Sequence, residues 1–367
     1  MRYSTFVRIP GSIARPAPKS GTRTAVGRED VAPMIFQKLT AAALGVAMLV
    51  GAAPKSAEAD ILVMGGNPEG SLFYAQSQAI ASVIGQHTGD RVDVLPQSPT
   101  VFFPMFVSSE ADLGLSSPIE ANFAFRAVGP YEGANGGEGY PISTIMLGSP
   151  IRLSLVVRGS SDIQSMADLK GKRVASNYGA FAGSSITAEA ALANAGLTDD
   201  DIEVVSVSSY PEGVTAVIEG RADAAVGSIG SGILQQLNAA EGARILSIDP
   251  SPEAMARSKE IGSAFVPIEV PAGIVGVDSD IHALSYATTL YGRSDLADEK
   301  VSAILETLWE HSEELKAIHP SLATWTPDRF ADTAVVVPFH PAAIEFFKSK
   351  GVWTDELEAR QAEISAK

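Results

Sequence analysis

Residues 65–74 form a glycine-rich segment, Gly-Gly-Asn-Pro-Glu-Gly-Ser-Leu-Phe-Tyr, whose backbone could bind an anion. The apolar run 61–64 before it predicts a buried strand, and the periodic run 72–86 after it predicts a helix. Ser71 suits the N-cap position of that helix. Amides at a helix N-terminus lack intrahelical partners and lie at the positive end of the helix dipole, so they favour a carboxylate or phosphate. The alternative is a tight turn that binds nothing.

A second segment of this kind occurs at residues 177–185, Asn-Tyr-Gly-Ala-Phe-Ala-Gly-Ser-Ser. It also follows a strand-like run and precedes a helix-like run, and Ser184 suits a cap or a ligand contact. In both copies a short acidic turn leads into a further strand, at Asp112 and at Asp223, where we expect structural roles. The repetition predicts two similar units whose helix N-termini face one cleft. The alternative is chance similarity between two α/β units.

Strand-like and helix-like runs alternate along most of the chain, which predicts an α/β fold with mostly parallel strands. Ligands of such sheets bind at the carboxyl ends of the strands. Runs 151–157 and 270–274 predict two crossings between lobes, which would act as a hinge. We therefore expect lobe I to comprise residues 60–148 and 271–367, and lobe II to comprise residues 149–270.

The N-terminal 59 residues have the layout of a targeting segment. Residues 1–33 are basic and lack an apolar period, so they read as an upstream extension. Residues 34–38 carry a charge, residues 39–50 are apolar, and Ala-Glu-Ala at 57–59 resembles a cleavage site, so a secretory signal peptide is predicted. The apolar run is shorter than the roughly 20 residues of a membrane span. The mature chain would begin at Asp60 in the periplasm; the alternative is a permanent N-terminal anchor.

The charge balance excludes several classes of partner. The chain carries 43 acidic and 27 basic residues, and the part from Asp60 onward is more acidic still. An acidic surface disfavours nucleic acid and anionic membranes. The chain has no cysteine, so it can form neither a disulfide nor a thiolate site.

Motifs for catalysis are missing from the sequence. The five histidines show no metal-ligand spacing, no G-x-S-x-G elbow is present, and no lysine follows the glycines as in a Walker loop. The sequence therefore predicts no catalytic residue, no metal site and no cofactor. We expect His340, which lies between Phe339 and Pro341, to support the C-terminal helix.

Four motifs together resemble one family of receptors. They are the first glycine segment, Asp-Leu-Lys-Gly-Lys-Arg-Val at 168–174, Glu-Gly-Arg-Ala-Asp at 219–223 and Val-Pro-Phe-His-Pro-Ala-Ala-Ile at 337–344. From residue 61 to about 352 the chain resembles the TAXI family, the extracytoplasmic receptors of one class of TRAP transporters. The resemblance implies a monomeric, two-lobe periplasmic binding protein, type II-like, that captures a small organic acid or amino acid such as glutamate and delivers it to TRAP membrane subunits. An enzyme or a ligand-sensing module on the same fold is the alternative.

The resemblance also indicates where the solute binds. Segments 67–69 and 97–103 and Phe181 depart from the family's usual residues at expected pocket positions, which suggests a larger or more apolar solute than glutamate. Because neither glycine segment holds a cation, we expect backbone amides of 66–71 and 182–185 to bind an acidic group, with Arg152 as the alternative. The predicted ligand-binding residues are Gly66, Asn67, Gly70, Ser71, Tyr74, Ser98, Thr100, Ser116, Ser117, Tyr178, Ala182, Gly183, Ser184, Ser185 and Ser228.

Overall fold

Two long strands, β4 (Ile142–Arg158) and β10 (Ile281–Arg293), lie side by side at the centre of a ten-stranded sheet. They pair antiparallel from Ile142 opposite Arg293 to Leu153 opposite Leu284. The computed structural model describes residues 60–366. The predicted extension and signal peptide, residues 1–59, lie outside the described residues.

The other strands form two groups of the same design, one on each side of the central pair. They are β1 (Ile61–Gly65), β2 (Arg91–Leu95), β3 (Leu113–Ser116), β5 (Arg173–Asn177), β6 (Glu203–Ser206), β7 (Ala224–Ser228), β8 (Ala243–Ile245) and β9 (Val266–Val270). The order is β2-β1-β3-β10 in the first half and β6-β5-β7-β4 in the second. In each half the first three strands are parallel and the long strand is antiparallel. The predicted α/β fold with two lobes is confirmed.

Helices cover the sheet and connect its parallel strands. They are α1 (Leu72–Thr88), α2 (Pro99–Val107), α3 (Pro118–Arg126), α4 (Ala182–Asn194), α5 (Tyr210–Ile218), α6 (Gly232–Glu241), α7 (Pro252–Ile261), α8 (Asp298–Glu310), α9 (Ser312–Ile318), α10 (Pro341–Ser349) and α11 (Asp355–Ser365). Ser71 is the N-cap of α1 and accepts the Tyr74 amide at 3.1 Å, as predicted. The N-cap of α4 is Phe181, so Ser184 lies inside the first turn and does not cap the helix. Within residues 60–366, no helix is both long and apolar enough to cross a membrane.

The return crossing lies later in the chain than the sequence suggested. Residues 270–274 were expected to cross, but Gly273 and Gly276 adopt left-handed backbone angles, φ 91° and 79°, and turn the chain back. Strand β9 therefore pairs antiparallel with β10, and β10 makes the crossing. The lobe boundaries given above remain a prediction.

The core of the first half contains two residues that were expected in the pocket region. Phe102 and Phe103 are fully buried. A side chain on Gly65 or Gly114 would lie within 2.4 Å of the Phe102 ring, so the ring packs directly on neighbouring strands β1 and β3. Phe102 and Phe103 therefore belong to the core of the first half.

The acidic turns and His340 have the predicted structural roles. Asp112 accepts the Val63 amide at 3.0 Å, and Asp223 pairs with Arg173 at 2.6 Å. His340 is the N-cap of α10 and accepts the Ala342 amide at 3.2 Å. These residues fix the ends of elements away from the cavity described below.

Candidate functional site

A small cavity of about 50 Å³ lies between the two halves of the sheet. The carboxyl ends of β3 and β7 reach it from opposite halves and bring Ser116 and Ser228 to its wall. This is the position at which ligands bind in open α/β sheets. The wall is formed by Asn67, Pro68, Ser71, Leu72, Phe73, Ser116, Ser117, Glu120, Ile151, Leu153, Phe181, Gly183, Ser184, Thr187, Tyr210, Val226, Ser228 and Tyr286.

The structure brings about half of the predicted ligand-binding residues together at this wall. Those at the wall are Asn67, Ser71, Ser116, Ser117, Gly183, Ser184 and Ser228. The others, which are not among the wall residues, are Gly66, Gly70, Tyr74, Ser98, Thr100, Tyr178, Ala182 and Ser185. Phe181, one of the departures from the family's usual residues, also lies at the wall.

Asn67 holds the first glycine segment against β3. Its backbone is left-handed, with φ 64°, a conformation that asparagine tolerates better than most residues. Its side-chain Nδ2 donates to the Leu115 carbonyl at 2.9 Å. The Gly66 and Asn67 amides donate to the carbonyls of Leu95 and Gln97. These contacts fix the start of α1 at the cavity.

Two tyrosine hydroxyls accept backbone amides of β7. Tyr178 is fully buried, and its hydroxyl accepts the Val226 amide at 2.8 Å, so this residue is structural and not exposed to a solute. The Tyr210 hydroxyl accepts the Ser228 amide at 2.9 Å. Burial raises the pKa of Tyr210 to about 12, which keeps the hydroxyl neutral. Ser185 accepts the Tyr178 amide at 2.9 Å and so also serves the fold.

The two halves touch beside the cavity. Thr100 donates to the Ala180 carbonyl at 2.7 Å and contacts Ser98 at 2.7 Å. The Ile233 amide at the start of α6 reaches the Gly70 carbonyl at 3.4 Å. Ser98, Thr100 and Gly70 therefore lie at contacts between the halves, beside the cavity. Tyr74 points elsewhere, where it accepts from Gln78 Nε2 at 2.8 Å.

Two buried hydroxyls at the cavity wall lack partners. Ser116 is 1% exposed and Ser228 is 4% exposed. Neither Oγ has a hydrogen-bond partner among residues 60–366. Each hydroxyl can therefore donate to or accept from a polar group of a solute.

Glu120, in the first turn of α3, lies at the wall but is not among the predicted ligand-binding residues. It is 4% exposed, and its Oε1 accepts the Tyr131 hydroxyl at 2.8 Å. Its other oxygen lies at the Gly183 backbone of α4, so near that a Cβ on Gly183 would be 2.6 Å away. Burial raises the pKa of Glu120 to about 7, although hydrogen bonds from Tyr131 and Gly183 act in the opposite direction.

One sequence signal for Glu120 was available. Ser117 to Glu120 has the S-x-x-E spacing of a capping box. The Ser117 hydroxyl does accept the Glu120 amide at 3.0 Å. The carboxylate, however, extends to Tyr131 and across to the second half.

No lysine, arginine or histidine is among the wall residues in the described part of the chain. Arg152, the alternative cation, is not at the wall, and burial lowers the pKa of its guanidinium. The amides of Ser184 and Ser185 donate to the Phe181 carbonyl, and the Gly183 amide faces Glu120. These three amides are therefore engaged within the protein, and their binding of a solute stays a prediction.

A cluster of three side chains outside the cavity wall could hold a metal ion, so the expectation of no metal site stays a prediction. The ligand atoms of His87, His311 and Glu314 lie within 4.8 Å of one another. Both imidazoles contact the Glu314 carboxylate, at 3.0 and 2.9 Å, and their rings stack at 3.4 Å. Two imidazoles and a carboxylate can hold Zn²⁺. Here the Glu314 carboxylate is already paired with one nitrogen of each imidazole.

Comparison with solved structures finds periplasmic binding proteins. The aliphatic sulphonate binding protein SsuA from Escherichia coli is 16% identical, with 84% of each chain covered and a TM-score of 0.46. PhnD1 from Prochlorococcus marinus, solved with methylphosphonate, is 10% identical, with 80% of this chain and 98% of that chain covered and a TM-score of 0.49. An ancestral arginine-binding protein bound to arginine is 15% identical, with 72% and 98% covered and a TM-score of 0.44.

Comparison with protein-family models finds one match, which spans most of the chain. It runs from residue 64 to residue 351 and so includes both halves of the sheet and every residue of the cavity wall. By this match, the chain belongs to the NMT1-like family.

Proposed function

We propose that this protein is an extracytoplasmic solute receptor, which closes its two halves over a small organic acid or amino acid. Residues of the wall would bind and release the solute unchanged, since no group there has the arrangement of a nucleophile and its base. The observation that carries the proposal is the pair of unpartnered hydroxyls of Ser116 and Ser228, which belong to the wall of one cavity and come from opposite halves. A solute that bridges them would hold the halves together.

The test is a screen of organic acids and amino acids by thermal shift on residues 60–367. A solute at 100 times its dissociation constant stabilises the folded state by about 2.7 kcal/mol, which is easily measured. Small-angle scattering of the same samples should then show a smaller radius with the solute, because binding favours the closed state. A solute that is consumed during the assay would instead indicate an enzyme.

For the membrane partner we propose TRAP-type subunits, on the basis of the resemblance to the TAXI receptors. The four motifs of that resemblance extend over both halves of the chain. A gene for a large fused membrane protein beside this one would support TRAP subunits. A gene for an ATP-binding subunit in that position would contradict them and favour an ABC transporter.

Export to the periplasm follows from the same proposal. If the segment 1–59 directs secretion, the exported protein should begin at Asp60. Mass spectrometry of the intact periplasmic protein measures this directly. A mass that still includes residues 39–50 would contradict cleavage and indicate an anchor.

A further inference from the structure

The cavity wall has one side chain that can carry a full charge at neutral pH, and that side chain is acidic. Glu120 lies among hydroxyls, one amide side chain and apolar groups. The Tyr131 hydroxyl donates to this carboxylate, and the wall also carries the neutral hydroxyls of Ser117 and Tyr286. The wall therefore offers a solute one acidic side chain and no basic one.

The carboxylate of Glu120 is only partly satisfied by the protein. A carboxylate has about four acceptor sites, whereas Tyr131 and the Gly183 amide supply two donors. Both donors are neutral, so neither compensates the charge of this buried carboxylate. A buried charge of this kind is costly until a cation pairs with it.

A solute with a cationic nitrogen would complete this arrangement. An ammonium group brings three donors and the missing positive charge, and it forms the stronger, charge-assisted type of hydrogen bond. A solute carboxylate at the same place would put two negative charges in contact, so one of them would have to take up a proton. Glu120 would therefore distinguish a solute that presents an ammonium group from one that presents a carboxylate.

We propose that Glu120 is the specificity-determining residue of the cavity and that the solute presents an ammonium group to it. Glu120 belongs to the first half, while its contact Gly183 belongs to α4 of the second half. The ammonium would therefore be held where the two halves meet. An acidic group on the same solute would lie at the N-terminus of α1, away from Glu120. This inference rests on the proposed function, because it names the chemistry of the solute that the receptor takes.

The test uses matched pairs of probes on residues 60–367, measured by calorimetry and thermal shift. The pairs are L-alanine with propanoate, 4-aminobutanoate with butanoate, and L-glutamate with glutarate, each of which differs by one ammonium group. We expect an ammonium member to bind at least about 30-fold more tightly than its partner. The Glu120→Gln variant should lose this preference, whereas Glu120→Asp should keep part of it. Glu241→Gln, at the exposed end of α6, is the control and should bind as the native protein does.

Each other outcome has a separate meaning. If a deaminated acid binds as tightly as its ammonium partner, or if Glu120→Gln keeps the preference, the inference is overturned while the receptor function stands. If no probe of either type binds to the folded native protein, the inference and the proposed class of solute both fail. Thermal unfolding of each variant without probe shows that a lost preference does not arise from misfolding.

Discussion

Glu120 should make the solute-free protein less stable as the pH rises. The pKa of this carboxyl is raised from 4.5 to about 7 by burial, whereas in the unfolded chain it would be exposed to water. Below about pH 4.5 both the folded and the unfolded state hold the proton, and Glu120 does not change the free energy of unfolding with pH. Between about pH 4.5 and 7 the unfolded state releases the proton while the folded state keeps it, so the free energy of unfolding falls as the pH rises.

The size of the effect follows from the two pKa values. At about 1.4 kcal/mol for each pH unit, the change corresponds to about 3 kcal/mol between pH 4.5 and 7. Above pH 7 the penalty stays constant. Glu120→Gln removes the titrating group and keeps an oxygen that can accept from Tyr131, so this variant should lack the effect.

Urea unfolding followed by tryptophan fluorescence measures the difference. The native protein, Glu120→Gln and the control Glu241→Gln are compared at several pH values from 4.5 to 8. The native protein and Glu120→Gln share every other carboxyl, so the difference between their pH profiles isolates Glu120, and Glu241→Gln shows the effect of removing an exposed carboxyl. Parallel pH profiles for the native protein and Glu120→Gln would refute the reasoning, because Glu120 would then titrate as an exposed glutamate does.

Three further predictions test the site and its support. Ser116→Ala and Ser228→Ala should each weaken binding of a solute found in the screen by about 0.5–1.5 kcal/mol in calorimetry, since each hydroxyl lacks a protein partner; unchanged affinity in both would contradict a role in binding. Tyr178→Phe should lower the free energy of unfolding by about 1–3 kcal/mol in urea, because a buried β7 amide loses its acceptor, whereas Tyr74→Phe should have little effect. Gly183→Ala should hinder closure, because its methyl group would meet the Glu120 carboxylate; a solute-bound radius equal to that of the native protein in small-angle scattering would show that the methyl group is tolerated.

The fold could be predicted because its signals are local. The apolar runs at β1, β5 and β7 and the glycine segments before α1 and α4 occur within a few residues of one another. Their repetition along the chain was enough to indicate two similar halves. The sequence pattern predicts the return crossing at residues 270–274, before β10. A proline and two glycines after β9 instead make a turn within an otherwise apolar run, and β10 makes the crossing.

The candidate site was predicted only where it is formed by strand ends and glycine segments. Ser116 and Ser228 were found because each directly follows an apolar strand. Tyr178 is predicted at the cleft, but a tyrosine after a strand can face either the cleft or the core. Here its hydroxyl lies in the core and accepts a backbone amide of β7. The capping-box spacing from Ser117 predicts a local role for Glu120, whereas its contacts with Tyr131 and Gly183 depend on packing between segments that the sequence pattern does not bring together.

The central position of β10 has a consequence for how the chain acquires its structure. The first half needs this strand between β3 and β4, yet residues 281–293 are made after all of the second half. A nascent chain that stops before Ile281 therefore leaves the inner edge of β3 without its neighbour. Contacts between such distant segments close slowly, so the unfinished chain exposes strand edges for longer than a protein built from local contacts. The last quarter of the chain thus supplies the strand that completes the N-terminal sheet.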